Sequence, residues 1–112
     1  MNILVVLEDN NGAIHRMSLE AIVAAQKISS KLKSKITVLA MGRNAEALAL
    51  EASKYELNEI LKINSSSLIS YSSDGYAIAI EQIILEHDFK YVLFGHTYQV
   101  RDYVPKISAK LM

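Results

Sequence analysis

Glu8 and Asp9 are adjacent carboxylates directly behind an apolar run, Ile3 to Leu7. Paired acids at the end of a strand could hold magnesium, as in a phosphoacceptor domain. That chemistry needs a third carboxylate after the third strand, where Asn64 and Ser65 stand, so a solvated loop is the simpler reading. Met41-Gly42-Arg43-Asn44 also follows an apolar run. A helix N-terminus there could bind an anion, but the lone glycine belongs to no G-x-G-x-x-G or P-loop pattern. Ser65, Ser66, Ser67, Ser70, Ser72 and Ser73 crowd one loop. Their hydroxyls could cradle a phosphate, were it not for the nearby Asp74 carboxylate.

The histidines are scattered. His15 lies in the first loop, His87 at the end of the third helical pattern and His96 after the fourth strand. His87 suits the negative end of a helix dipole. His96 could act as an acid or base, yet no second residue completes a catalytic set with it. With no cysteine, disulfides, thiolate metal sites and cysteine nucleophiles are excluded. No catalytic, metal-binding or cofactor-binding set is therefore expected within the chain. Lys27, Lys31, Lys33 and Lys35 are the densest basic stretch, at a helix end where cations suit the macrodipole.

The richest stretch is His96-Thr97-Tyr98-Gln99-Val100-Arg101-Asp102-Tyr103-Val104-Pro105. Read as an exposed loop, it offers a hydroxyl, aromatic rings, an amide and both charges. Tyrosine and arginine are enriched at interface hot spots. Thr97, Tyr98, Gln99, Arg101 and Asp102 are accordingly the interface candidates. The competing reading is local: a cap plus an Arg101–Asp102 surface pair.

These positions depend on four apolar, β-branched runs: Ile3–Leu7, Ile36–Ala40, Glu59–Ile63 and Tyr91–Phe94. Continuous runs of this kind are strands of a parallel sheet covered on both faces. Helical patterns alternate with them. Ser18 is the expected N-cap before Leu19, Ile22, Ala25, Ile28 and Leu32. Asn44 caps Ala45, Leu48, Ala49 and Ala52, and Asp74 caps Ala77, Ile80, Ile83, Ile84 and His87. A last helix, capped by Asp102, carries Val104, Ile107, Ser108 and Leu111. Pro105 then falls at the third helical position, where it costs little. A helix beginning before Gln99 would instead kink or break near Arg101.

The order β-α-β-α-β-α-β-α predicts an α/β three-layer open sheet, Rossmann-like and of the adenine-nucleotide-hydrolase-like type. Right-handed crossovers give parallel strands in order 3-2-1-4, with the switch point between the first and fourth strands. Ligands of such sheets bind beyond the carboxyl ends of the strands. That edge comprises Glu8 to Gly12, Met41 to Asn44, Asn64 to Asp74 and Gly95 to Asp102.

Twelve basic and twelve acidic residues balance among 112 residues, 51% of them hydrophobic. That is the balance of an ordinary soluble globular domain, and with the element order above it predicts a single α/β domain over residues 1–112. The chain lacks the basic footprint of a nucleic-acid binder. Nor does any apolar run approach the roughly 20 residues of a membrane-spanning helix, so no direct membrane insertion is expected. The run at Ile3–Leu7 lacks a basic leader, and the cytoplasm is the expected compartment.

The opening Ile3-Leu4-Val5-Val6-Leu7-Glu8-Asp9-Asn10-Asn11-Gly12 resembles the start of electron transfer flavoprotein α-subunits, with Ser18-Leu19-Glu20-Ala21 to Ala24-Ala25 behind it. Met41-Gly42 resembles the end of that family's next strand. Thr97, Arg101, Asp102, Pro105 and Lys106, with Ser108-Ala109-Lys110-Leu111, resemble the segment after its fourth strand. Val100 departs from the family by replacing a glycine, and Tyr98 and Gln99 replace smaller residues. The resemblance implies the front part of the N-terminal domain of an electron carrier, packed against a β-subunit. It implies electrons received from flavin dehydrogenases and passed to a quinone-linked membrane oxidoreductase or another acceptor. It also implies FAD held by a C-terminal domain outside these residues, and the mitochondrial matrix for a processed eukaryotic chain.

The rival is a stand-alone adenine-nucleotide-binding module of universal-stress-protein type. Such modules carry a spaced glycine motif after the fourth strand, where this chain has Gly95-His96-Thr97-Tyr98 and no further glycine. A small hydrolase would need a nucleophile and base that the chain does not supply.

Overall fold

The computed structural model describes residues 2–63, 65 and 68–111. Asn64, Ser66 and Ser67, cited above, lie outside the described residues, as do the side chains of residues 108–111. The chain runs β1 Asn2–Val6, β2 Asp9–Asn10, β3 Ala13–Ile14, α1 Arg16–Leu32, β4 Lys35–Met41, α2 Ala45–Ala52, β5 Glu59–Ile63, α3 Ser73–Glu86, β6 Phe89–Phe94 and α4 Tyr98–Leu111.

The main sheet has the order β5-β4-β1-β6, all parallel. This is the expected 3-2-1-4 arrangement, with the reversal of strand order between β1 and β6. Alternation along β1 splits the core in two. Ile3 and Val5 join Ile36, Val38 and Ala40 under Ile22 and Ala25 of α1 and Ala45, Leu48 and Ala52 of α2. Leu4 and Val6 join Leu39 and Met41 under Tyr76, Ala77 and Ile80 of α3 and Val100, Tyr103 and Ile107 of α4. Burying a side chain such as Ile3, Leu39 or Ile80 contributes roughly 1.5–3 kcal/mol, so the two-sided burial of β1 and β4 stabilises the whole layer order.

The structure adds a two-stranded antiparallel hairpin, β2–β3, where the sequence reads as a plain polar turn. Asn11 has φ 54° and Gly12 φ 92°, the positive pair that a two-residue hairpin turn demands. Asn-Gly is the sequence signal for such a turn. The flanking strands are too short for their alternation to show.

Three expected caps shift. α1 is capped by His15, whose Nδ1 accepts from the Met17 N–H at 3.0 Å. Ser18 lies inside the helix, fully buried, and its hydroxyl accepts from the Glu8 N–H at 2.9 Å instead. α3 is capped by Ser72, which accepts from the Gly75 N–H at 3.0 Å and has the extended backbone of an N-cap. Asp74 sits within the first turn, where its charge suits the helix dipole and pairs with Lys106 at 2.7 Å. α4 begins at Tyr98, not after Asp102. Thr97 accepts from the Val100 N–H at 3.1 Å through its hydroxyl and from the Arg101 N–H at 3.0 Å through its carbonyl. Threonine can cap where the chain leaves the sheet, so the helix starts as soon as β6 ends.

Pro105 is thereby interior, at the eighth helical position. It denies the Arg101 carbonyl its helical donor, yet the helix continues through it to Leu111. Val100, Tyr103 and Ile107 pack against the core, which anchors the turns on either side of the proline.

Candidate functional site

At the carboxyl edge, Glu8 follows β1 and Gly95 follows β6, and a ligand of an open α/β sheet would enter between them. Protein atoms occupy this point. A Cβ on Gly95 would stand 2.8 Å from the Met17 carbonyl carbon and 3.0 Å from the Ser18 nitrogen. Gly95 therefore lets β6 run hard against the first turn of α1. Above it, Thr97 donates its hydroxyl to Glu8 Oε1 at 2.5 Å. Glu8 also takes the His15 N–H through its backbone carbonyl at 2.8 Å, and its Oε2 lies 4.0 Å from His15 Nε2. β1, α1 and α4 are thus joined through one residue.

Asp9 turns to other partners. Its Oδ1 accepts from the Gly12 N–H and its Oδ2 from Asn44 Nδ2, both at 2.7 Å. Asn44 stands at the N-cap position of α2 as expected, but its side chain ties the hairpin to α2 and makes no cap bond. The Glu8–Asp9 pair is therefore not a shared metal site: the two carboxylates serve different partners. Among the described residues no group of three or more His, Asp or Glu is placed to hold a metal ion.

Gly42, with φ 96°, closes the turn after β4, and a Cβ there would meet the Tyr76 hydroxyl at 2.6 Å. The Tyr76 hydroxyl thus lies directly against Gly42. Tyr76 packs edge-on against Tyr71, with centroids 4.9 Å apart, and lies 6.0 Å from Tyr103, which meets Phe94 at 5.8 Å. Burial first, then the Asp9 and Glu8 charges, raises the phenol pKa of Tyr76. Burial and then Glu8 do the same for Tyr103. Tyr71 is raised by partial burial and then by the Asp102 carboxylate that accepts its hydrogen bond at 2.7 Å. The upward shifts favour the neutral phenol in all three, and Tyr71 uses its proton to donate to Asp102. Sequence reasoning did not single out these tyrosines, because their spacing in the chain is irregular and only the fold stacks them.

The five interface candidates are not a loop. They form the cap and first turns of α4, and the structure divides them. Thr97 is turned inward to Glu8. Asp102 is held by Tyr71, which replaces the expected Arg101–Asp102 pair. Gln99 is half-buried, and its carbonyl receives a longer contact from the Tyr71 hydroxyl at 3.4 Å. Tyr98, 89% exposed, and Arg101 face solvent one helical turn apart. Positions three apart are neighbours on a helix surface, so these two make a contiguous patch. His96 is exposed, and among the described residues no partner completes an acid–base pair with it. Leu68, fully buried, anchors the serine-rich loop, and Lys106 binds Ser73 and Asp74 beside it at 2.7 Å. Lys27, Lys31, Lys33 and Lys35 are all exposed. Lys33 forms the left-handed C-cap of α1.

Residues 3–112 match the electron transfer flavoprotein domain family. The chain is 26% identical over 111 residues to the electron transfer flavoprotein subunit alpha of Thermoanaerobacterium thermosaccharolyticum, covering 99% of this chain and 34% of that protein. It is 28% identical over 109 residues to the subunit alpha of Bacillus subtilis, covering 97% and 33%. It is 26% identical over 110 residues to the acryloyl-CoA reductase electron transfer subunit beta of Anaerotignum propionicum, covering 98% and 30%. The chain thus spans about a third of the length of the curated relatives it matches.

Proposed function

The chain belongs to the electron transfer flavoprotein family, and from that premise we propose that residues 1–112 are the front part of the N-terminal α/β domain of an α-subunit. The whole protein would be an electron carrier paired with a β-subunit. It would take electrons from flavin dehydrogenases and deliver them to a quinone-linked oxidoreductase or another acceptor, in the cytoplasm. This segment supplies scaffold and interface.

One observation supports the scaffold role above others: the switch point is closed by protein. Glu8–Thr97 bridges it and Gly95 packs on α1 beneath the bridge. The residues here do not fit FAD. A diphosphate at this edge would meet Glu8, Asp9 and Asp102. The Tyr76 hydroxyl already occupies the space over Gly42. We assign the flavin to other parts of a longer α-subunit. The same closure weighs against a stand-alone nucleotide-binding module.

Tyr98 and Arg101 are the pair offered to the β-subunit. Both are exposed on one helix face, and both belong to types that anchor wet interfaces. The test is co-purification of a tagged α-subunit carrying this segment with the β-subunit of the same genome, followed by association constants for Tyr98→Ala and Arg101→Ala. A loss of roughly 1–3 kcal/mol for Arg101→Ala is expected from a charged interfacial hydrogen bond, with the flavin spectrum of the complex retained. Unchanged association for both variants would remove the interface reading.

A further inference from the structure

We propose that Asn11 is a site of spontaneous deamidation and that the Asp9 carboxylate holds its rate down. In an Asn-Gly pair the following residue puts no side chain beside the backbone nitrogen that attacks. Here Asn11 is exposed at the tip of the β2–β3 hairpin. Among the described residues, and apart from its two chain neighbours, nothing lies within 4 Å of the place a Cβ would take on Gly12, so solvent reaches the reacting backbone from that side.

The chemistry needs only water. The Gly12 nitrogen gives up its proton and bonds to Asn11 Cγ. The Cγ–Nδ2 bond breaks, and the amide nitrogen leaves as ammonia with that proton. Water then opens the cyclic imide at either carbonyl, leaving aspartate or isoaspartate. No electrons are exchanged with another group.

The restraint acts on the same proton. The Gly12 N–H donates to Asp9 Oδ1 at 2.7 Å. A negative oxygen against this N–H makes its removal harder, and the bond must open before the nitrogen can swing onto Cγ. Asp9 is itself fixed by Asn44, and the hairpin is fixed by the Ile14 N–H donating to Glu51 Oε1 at 2.8 Å. Reaction therefore waits on a local opening of the hairpin.

The product would not fit the hairpin. Isoaspartate adds a methylene to the backbone between Asp9 and Ile14, which pair across the turn. Ile14 is a core residue, 4% exposed, so a broken register pulls on both the core and the Asp9–Asn44 bond.

The experiment follows the Asn11 peptide of the purified chain by mass spectrometry at neutral and mildly alkaline pH. Isoaspartate is counted by isoaspartyl methyltransferase labelling. A free peptide of residues 7–15 serves as the unrestrained reference. The peptide is expected to react at least about tenfold faster than the folded chain, the scale of one charge-assisted hydrogen bond. Asp9→Asn, with the circular dichroism of the wild type, should recover most of that difference. Asn44→Ala, which leaves the Asp9–Gly12 bond, should accelerate the reaction less. Hydrogen exchange at the Gly12 amide gives a second reading that needs no variant, and it should show protection of similar size. A folded wild type that deamidates as fast as the peptide overturns the proposal. So does an unprotected Gly12 amide, or a folded Asp9→Asn with the wild-type rate.

Discussion

Thr97 donates to Glu8 at 2.5 Å, tying the end of β1 to the start of α4 across 89 positions of sequence. The same hydroxyl accepts from the Val100 N–H. One side chain thus sets where α4 begins and closes the switch point of the sheet. Thr97→Val keeps the shape and removes both bonds. It is expected to cost about 1–3 kcal/mol, combining a lost cap with a half-buried carboxylate left without its donor. Thr97→Ser should stay close to wild type. Urea midpoints of the two variants decide the matter, and a Val variant as stable as the Ser variant would show that the bridge contributes nothing.

Gly42 carries two constraints that a double variant separates. Its φ of 96° strains any other residue, and a Cβ would clash with the Tyr76 hydroxyl at 2.6 Å. Gly42→Ala should destabilise by about 1–3 kcal/mol. Adding Tyr76→Phe removes the clashing oxygen, so the double variant should be more stable than the two separate losses imply. Strict additivity in thermal unfolding would mean that the ring already moves aside freely.

Pro105 tests where α4 starts. In a helix from Tyr98 it breaks an interior bond to the Arg101 carbonyl; in a helix from Tyr103 it would sit harmlessly in the first turn. Pro105→Ala should therefore stabilise the chain by about 1–2 kcal/mol, the interior penalty reduced by the greater freedom of the unfolded alanine chain. A neutral or destabilising result would favour the later start.

The tyrosine cluster sets an alkaline limit. The folded-state pKa values of Tyr71, Tyr76 and Tyr103 are raised, above the ordinary phenol value of about 10. The unfolded chain then loses these protons before the folded one does. Their contribution is fully present below about pH 10 and is lost as pH rises through the folded values. Stability should fall more steeply above about pH 10 in the wild type than in Tyr103→Phe. Ultraviolet titration of the phenols, with denaturant midpoints on either side of that pH, checks the sign. For Tyr71, Asp102→Asn should lower the phenol pKa by removing a hydrogen-bonding anion.

Strand positions, the parallel 3-2-1-4 order and the carboxyl edge as the place to look all follow from local pattern. Ile3–Leu7 is apolar at every residue and Ile36–Ala40 at every residue but Thr37, which suits a sheet covered on both faces, and the helices between such runs leave few topologies. The likeness to electron transfer flavoprotein α-subunits was legible too, in short stretches at both ends of the chain. Helix starts were not. Ser18, Asp74 and Asp102 are good caps by residue type, but His15, Ser72 and Thr97 hold the cap positions. A side chain caps only if its backbone is extended where the chain turns into the helix, and that turn is set by how each helix docks on the sheet. The site was divided for the same reason. Adjacency in sequence grouped Glu8 with Asp9 and Arg101 with Asp102. Tertiary structure separated both pairs, giving Glu8 to Thr97, Asp9 to Asn44 and Asp102 to Tyr71, because hydrogen bonds form between groups that packing brings within about 3 Å, whatever their distance along the chain.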